Sequence, residues 1–110
     1  MTGPFKSSRD VIIRTESWAA AIRFYESVLG WPVVHRDKGI VGFETGSLRL
    51  YVEEGKAHGP VFDFLVADVQ RAKSHLLAAG CVVVEDEPSV PRCYIRDPQG
   101  VVFNIGQAPV

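Results

Sequence analysis

The chain is poor in the features that most readily betray a function. Its 110 residues hold only two cysteines, and Cys-x-x-Cys spacing is absent, which excludes a zinc ribbon. Cys81 and Cys93 fall on the two arms of a hairpin centred near Pro88, and a simple register opposes neither to the other. Free buried thiols in a reducing compartment are therefore expected, not a disulfide. No apolar run approaches the roughly 20 residues that cross a bilayer as a helix. The opening "MTGPFKSSRD" lacks the charged-then-apolar layout of a secretory signal, so the expected location is cytoplasmic. Twelve basic and 13 acidic residues are interspersed for a net charge of −1, which leaves no basic footprint for nucleic acid. Neither a glycine-rich phosphate loop nor a Gly-x-Ser-x-Gly elbow occurs.

What is present is a well-patterned core. Hydrophobic content of 46% and charged content of 23% are those of one ordinary globular domain. In "SWAAAIRFYESVLG" the residues Trp18, Ile22, Tyr25 and Leu29 recur at helical steps, with Ser17 as N-cap and Gly30 as stop. A second helix runs through "DVQRAKSHLLAAG", with Asp68 as cap, Val69, Ala72, Leu76 and Leu77 inward, and Gly80 as stop. "DVIIRT", "WPVVHR", "IVGFET" and "LRLYVE" alternate as strands around the first helix. "VFDFLVA", "CVVVED", "RCYIRD" and "VVFNIG" do so around the second. The order strand, helix, three strands thus occurs twice. "VLGWPVV" at residue 28 and "AAGCVVV" at residue 78 repeat the same helix end, which argues for internal duplication with a period of about 50 residues. Module one is expected at about 9–54, a polar linker "EGKAHGP" at about 54–60, and module two at about 61–107.

Strand alternation then separates two faces. One helix covers only one face of its sheet, so the opposite face is the candidate site. Toward the helices point Val11 and Ile13; Leu48, Leu50 and Val52; Phe62, Phe64 and Val66; Cys93 and Ile95; Val101, Phe103 and Ile105. The open face receives Asp10, Ile12, Arg14, Arg49, Tyr51, Glu53, Asp63, Arg92, Tyr94 and Asn104, with Val61, Leu65, Arg96 and Val102. This mixture is too apolar for a plain wet surface. Curled into a cup, it is a concave site for a small organic ligand. His35 and His75 are expected outside that cup, and His58 in the linker. Trp18 and Trp31 are read as core.

Three stretches carry a family resemblance. "AIRFYESVLGW" (20–31) looks like the Phe-Tyr-x-x-x-Leu-Gly helix end of the vicinal oxygen chelate superfamily, which groups glyoxalases, bleomycin-resistance proteins and extradiol dioxygenases. "FLVADVQRAKSHLLAAG" (64–80) resembles the opening of that family's second module, and "YIRDPQGVVFNI" (94–105) its closing Asp-Pro-x-Gly hairpin. The resemblance implies an α+β fold of two βαβββ modules, with curled mixed sheets forming a cup-shaped cleft, often built across a homodimer. It also implies a metal held at four strand positions, usually by His, Glu or Gln. Those positions carry Asp10, Arg49, Val61 and Asn104 here. Valine ligates nothing and arginine repels a divalent cation. A rearranged oxygen cage of Asp10, Glu53, Asp63 and Asn104 is the alternative, opposed by Arg14, Arg49 and Arg92 as charge partners for the same acids.

The resulting expectation is a small-molecule binding protein without catalytic residues, metal or other cofactor, similar to the bleomycin-resistance members that sequester an antibiotic in a dimer cleft. Tyr51 and Tyr94 would supply stacking area, and the arginines and acids would hold charged substituents. Its rivals are a lyase or dioxygenase with a rearranged metal site, and a structural or regulatory dimer module.

Overall fold

A computed structural model describes residues 4–109 of the chain. The fold is α+β and follows the duplicated order. Strand β1 (Lys6–Thr15) leads to helix α1 (Trp18–Arg23), which continues as a π-helical turn over Phe24–Val28. Strands β2 (Val33–Asp37), β3 (Ile40–Glu44) and β4 (Arg49–Glu54) follow. Strand β5 (His58–Val66), helix α2 (Val69–Ala78), and strands β6 (Val82–Glu87), β7 (Arg92–Arg96) and β8 (Val102–Gln107) repeat the series. The chain divides into two compact units. One is Arg9–Pro60; the other runs from Val61 and takes in the residues up to Ser8. The expected linker is therefore partly strand, because β5 already begins at His58.

Each unit has a mixed sheet of the same layout. In the first, the strand order is β2-β3-β4-β1, with β1 and β4 parallel and the other pairs antiparallel. In the second it is β5-β8-β7-β6, again with one parallel pair, β5 with β8. A parallel pair at this position requires the long connection that the helix and the two hairpin strands supply.

One helix seals each sheet on one face. Ile22 packs with Val41, Phe43, Leu50 and Val52, and Trp18, Tyr25 and Trp31 close the edge of that core. The Tyr25 and Trp31 rings stack 7° from parallel, and Trp18 Nε1 donates to the Val52 carbonyl at 2.9 Å. The Trp18 bond satisfies the indole N–H in an apolar setting. In the second unit Ala72 packs with Val66, Cys81, Cys93, Ile95, Phe103 and Ile105, and Val69 and Leu76 flank them. Both cysteines are free and buried. Gly30 and Gly80 stop the helices at φ +72° and +99°, a region that residues with a Cβ rarely adopt.

Several expected positions differ. Ser17 does not cap α1 through its side chain, whereas the Asp68 carboxylate accepts the Arg71 backbone N–H at 3.1 Å. Leu29 and Leu77 are exposed. The π-helical turn adds a residue and rotates Leu29 off the apolar stripe, and Leu77 lies one helical step from the Val69–Ala72–Leu76 stripe. Val101 is exposed because it precedes β8 in the turn, and Phe62 is exposed at the middle of β5, stacked on Phe64. Val61, expected on the open face, is only 1% exposed.

Candidate functional site

The open face of the first unit is built from rows of side chains set by strand register. Glu44, Arg49 and Asp10 share one row; Gly42, Tyr51 and Ile12 the next; Ile40, Glu53 and Arg14 the third. In a parallel pair such as β1 with β4, aligned residues project to the same side, so each row meets across strands. Arg49 Nε donates to Asp10 Oδ1 at 2.8 Å, and Arg14 Nε donates to Glu53 Oε1 at 3.0 Å. Asp10 also raises the Arg49 pKa above its ordinary value, which keeps the guanidinium charged. At the end of the first row Arg9 donates to Glu44 Oε2 at 2.6 Å and, with the Gly46 N–H, holds the Glu44 carboxyl below the usual glutamate value.

The central row holds a residue that strand alternation misplaces. The β2–β3 register shifts between Val33 and His35, a β-bulge. Val33 is opposite Phe43 on the core side, yet His35 is opposite Gly42 on the open side. The bulge adds one residue and reverses the alternation. His35 consequently meets Tyr51, with ring centroids 5.9 Å apart and planes inclined at 60°. It belongs to the open face, not outside it. Gly42 makes that meeting sterically feasible: a Cβ there would lie 2.8 Å from Tyr51 Cε1 and 3.1 Å from His35 Cβ. An isolated glycine inside a strand was the available signal for this close approach.

The second unit repeats the device 50 residues on. Its β6–β7 register shifts between Val83 and Glu85, which puts Glu85 where His35 stands in the first unit. The corresponding row is Glu85, Tyr94, Asn104 and Asp63. Asn104 Oδ1 accepts the Cys93 backbone N–H at 2.9 Å, and Asn104 Nδ2 donates to Asp63 Oδ1 at 2.9 Å. An N–H can only donate and a carboxylate can only accept, so the two neighbours dictate which end of the amide faces which. Ser8 Oγ donates to the other Asp63 oxygen at 3.0 Å.

Tyr94 was expected to offer its ring to a ligand, but it is only 2% exposed. It lies in its row between Glu85 and Asn104, and the Arg92 guanidinium sits 5.1 Å from its ring centroid. That cation–π contact and the Arg92 bond to Glu85 at 3.0 Å make Arg92 a cover over the ring. Of the expected acid–arginine pairs, Asp10 and Glu53 form theirs, whereas Asp63 turns to Ser8 and Asn104. A cavity of about 430 Å³ lies elsewhere in the second unit, against the first turns of α2. None of the ten candidate ligand residues lines it.

A model of the glyoxalase-like domain family matches residues 10–106. The paired βαβββ architecture is that of the vicinal oxygen chelate fold. The chain belongs to the glyoxalase-like domain family. A search of curated proteins finds no match. Among solved structures, one similar fold is a glyoxalase/bleomycin resistance protein/dioxygenase superfamily member from Vibrio splendidus 12B01. It is 14% identical with a TM-score of 0.65, over 89% of this chain and 96% of that one. A hypothetical protein from Bacillus halodurans C-125 is 16% identical with a TM-score of 0.69, covering 98% and 97%. An extradiol ring-cleaving dioxygenase from B. fuscum is 17% identical with a TM-score of 0.67; the match covers 96% of this chain but 33% of the dioxygenase. These likenesses establish the fold. Among the described residues no helix is long and apolar enough to cross a membrane.

The residues at the family's metal positions do not fit a divalent ion. Asp10 is bonded to the cationic Arg49, Val61 is buried and has no donor, and both ends of the Asn104 amide are engaged. Among the described residues no three His, Cys, Asp or Glu side chains come together as a ligand set.

Proposed function

We propose that this protein binds a small organic molecule on its open sheet faces by shape and charge, without a metal and without catalytic residues. The observation that carries this reading is the mutual engagement of the polar groups at the family's ligand positions, Asp10 with Arg49 and Asn104 with Asp63. An arginine in a ligand position neutralises the carboxylate a metal would need. The first unit offers a graded surface instead. Tyr51 and His35 give planar apolar area, Ile12 extends it, and the Asp10–Arg49 and Arg14–Glu53 pairs flank it with both signs of charge. A flat molecule with polar substituents at its ends suits such a surface.

The working form we propose is a cytoplasmic homodimer. In its support, Phe24, Val28, Leu29 and Val34 leave large apolar side chains exposed on one unit, an area that a second copy would cover. Light scattering is expected to give twice the chain mass; a monomer would remove this part of the proposal.

The decisive experiment combines elemental analysis with ligand screening. After incubation with Mn, Fe, Ni and Zn salts and desalting, the protein is expected to retain no stoichiometric metal. A small-molecule thermal-shift screen is expected to return planar polar compounds whose stabilisation is lost in Tyr51→Ala. One metal per chain would overturn the reading in favour of a rearranged metal site, and a screen in which no hit loses its stabilisation in Tyr51→Ala would overturn the open-face assignment.

A further inference from the structure

The cavity on the helix side of the second unit has its own chemistry. Its floor is apolar: Val66 and Ala72 are 3% and 9% exposed, and Phe5 closes one wall. The Phe5 ring lies against the His75 ring, with centroids 6.4 Å apart and planes 24° from parallel. About 430 Å³ falls within the size range of small-ligand sites.

The rim is polar and contains one uncommitted charge. Asp68 Oδ1 receives the Arg71 backbone N–H, which ties that carboxylate to the helix start. The Arg71 guanidinium, which lines the same cavity, has neither an ion pair nor a hydrogen bond among the described residues. Arg9 and Arg49 are matched with Glu44 and Asp10, and the exposed Arg23, Arg36 and Arg96 do not line this cavity, so Arg71 is the guanidinium available to it. An unmatched guanidinium beside an apolar floor is complementary to a molecule with an apolar body and one carboxylate, since arginine's planar fork holds a carboxylate through two parallel N–H donors. Asp68 is the one opposing charge at the rim, and its carboxylate weakens such binding without abolishing it.

We propose that this cavity is a binding site for a small aryl carboxylate, distinct from the open sheet faces. The ring inserts beside Phe5 over Val66 and Ala72, and the carboxylate is held by Arg71. Nothing in this assignment depends on the ligand proposed for the open faces.

The probes are 2-naphthoate and its uncharged counterpart 2-naphthalenemethanol, followed by amide proton–nitrogen correlation spectra of the full chain. Saturable shifts of the Val66–His75 amides by naphthoate are expected at millimolar probe, with the alcohol about tenfold weaker. Arg71→Gln, at an exposed position that bears no packing, is expected to reduce naphthoate affinity to that of the alcohol. Asp68→Asn, which keeps an amide oxygen for the cap, is expected to tighten naphthoate binding. Tyr51→Ala is expected to leave it unchanged. Equal binding of the two probes, indifference to Arg71→Gln, or shifts confined to the sheet residues would each overturn the assignment.

Discussion

Asn104 and Asp63 stand side by side on the parallel strands β8 and β5, joined amide to carboxylate at 2.9 Å. The other end of the amide accepts the Cys93 N–H, so one side chain links three strands of the second unit. A carboxylate at position 104 would still accept from Cys93 but would confront Asp63. The asparagine is therefore a structural connector across the sheet, in a position where enzymes of this fold often carry glutamate.

Asn104→Asp is expected to destabilise the protein by about 1–3 kcal/mol at neutral pH, through a lost donor and a like-charge contact. One carboxyl of the new pair acquires a raised pKa in the folded state. The penalty is then present when both are ionised and is relieved as pH falls and one of them takes up a proton. Urea unfolding at pH 7 and pH 4.5 checks this. A deficit of equal size at both values would show that the two carboxylates do not meet.

Gly42→Ala tests the Tyr51–His35 contact. The added methyl would lie 2.8 Å from Tyr51 Cε1, inside any tolerable contact, so the ring must swing away from His35. The expected cost is about 1–3 kcal/mol, with a changed tyrosine signal in near-ultraviolet circular dichroism. An unaltered spectrum would mean that the ring does not lie across Gly42.

Glu44 links stability to pH in the acid range. Its bond from Arg9 holds the folded-state carboxyl below the ordinary value of 4.5. A depressed carboxyl contributes stability above its unfolded-state value and loses that contribution as pH falls through the folded-state one. Arg9→Gln is expected to lower stability at pH 8, with the deficit closing as pH falls below about 5, so that the acid side of the stability profile flattens. A profile of unchanged slope, measured by thermal melts across the series, would remove Glu44 from the account.

Cys93 is expected to be an inert thiol. Burial is the largest influence on it and pushes its pKa up, with the charge of Asp86 acting in the same direction and Lys73 against. Since the thiolate is the reactive form, native protein should react slowly with Ellman's reagent, and the rate should rise with urea in step with unfolding. Fast stoichiometric reaction of the folded protein would contradict the burial of Cys93.

Local pattern carried much of this architecture. The helical steps in "SWAAAIRFYESVLG" and "DVQRAKSHLLAAG", the glycine stops and the echo between residues 28 and 78 are all encoded within a few residues of one another. So is the placement of Asn104 opposite Phe103 and Ile105, because alternation along a strand follows from backbone geometry alone. The open-face membership of Asp10, Arg14, Arg49, Tyr51 and Glu53 was legible for the same reason.

What only the tertiary structure decided depends on which strand meets which. A β-bulge is invisible to alternation, so His35 was expected outside the cup and Glu85 was not singled out, and each bulge exists because the neighbouring strand sets the pairing. The partner of Asp63 is Asn104, 41 residues away along the chain, since those strands run parallel and adjacent, and not an arginine of the same face. Tyr94 alternates outward, yet it is buried, because Arg92 reaches over its ring to Glu85. The amino-acid sequence by itself determined the elements and their faces, which are local properties of the backbone. The fold decided the pairing of charges across strands and the cover over each ring, because those contacts exist only once distant segments have been brought into register.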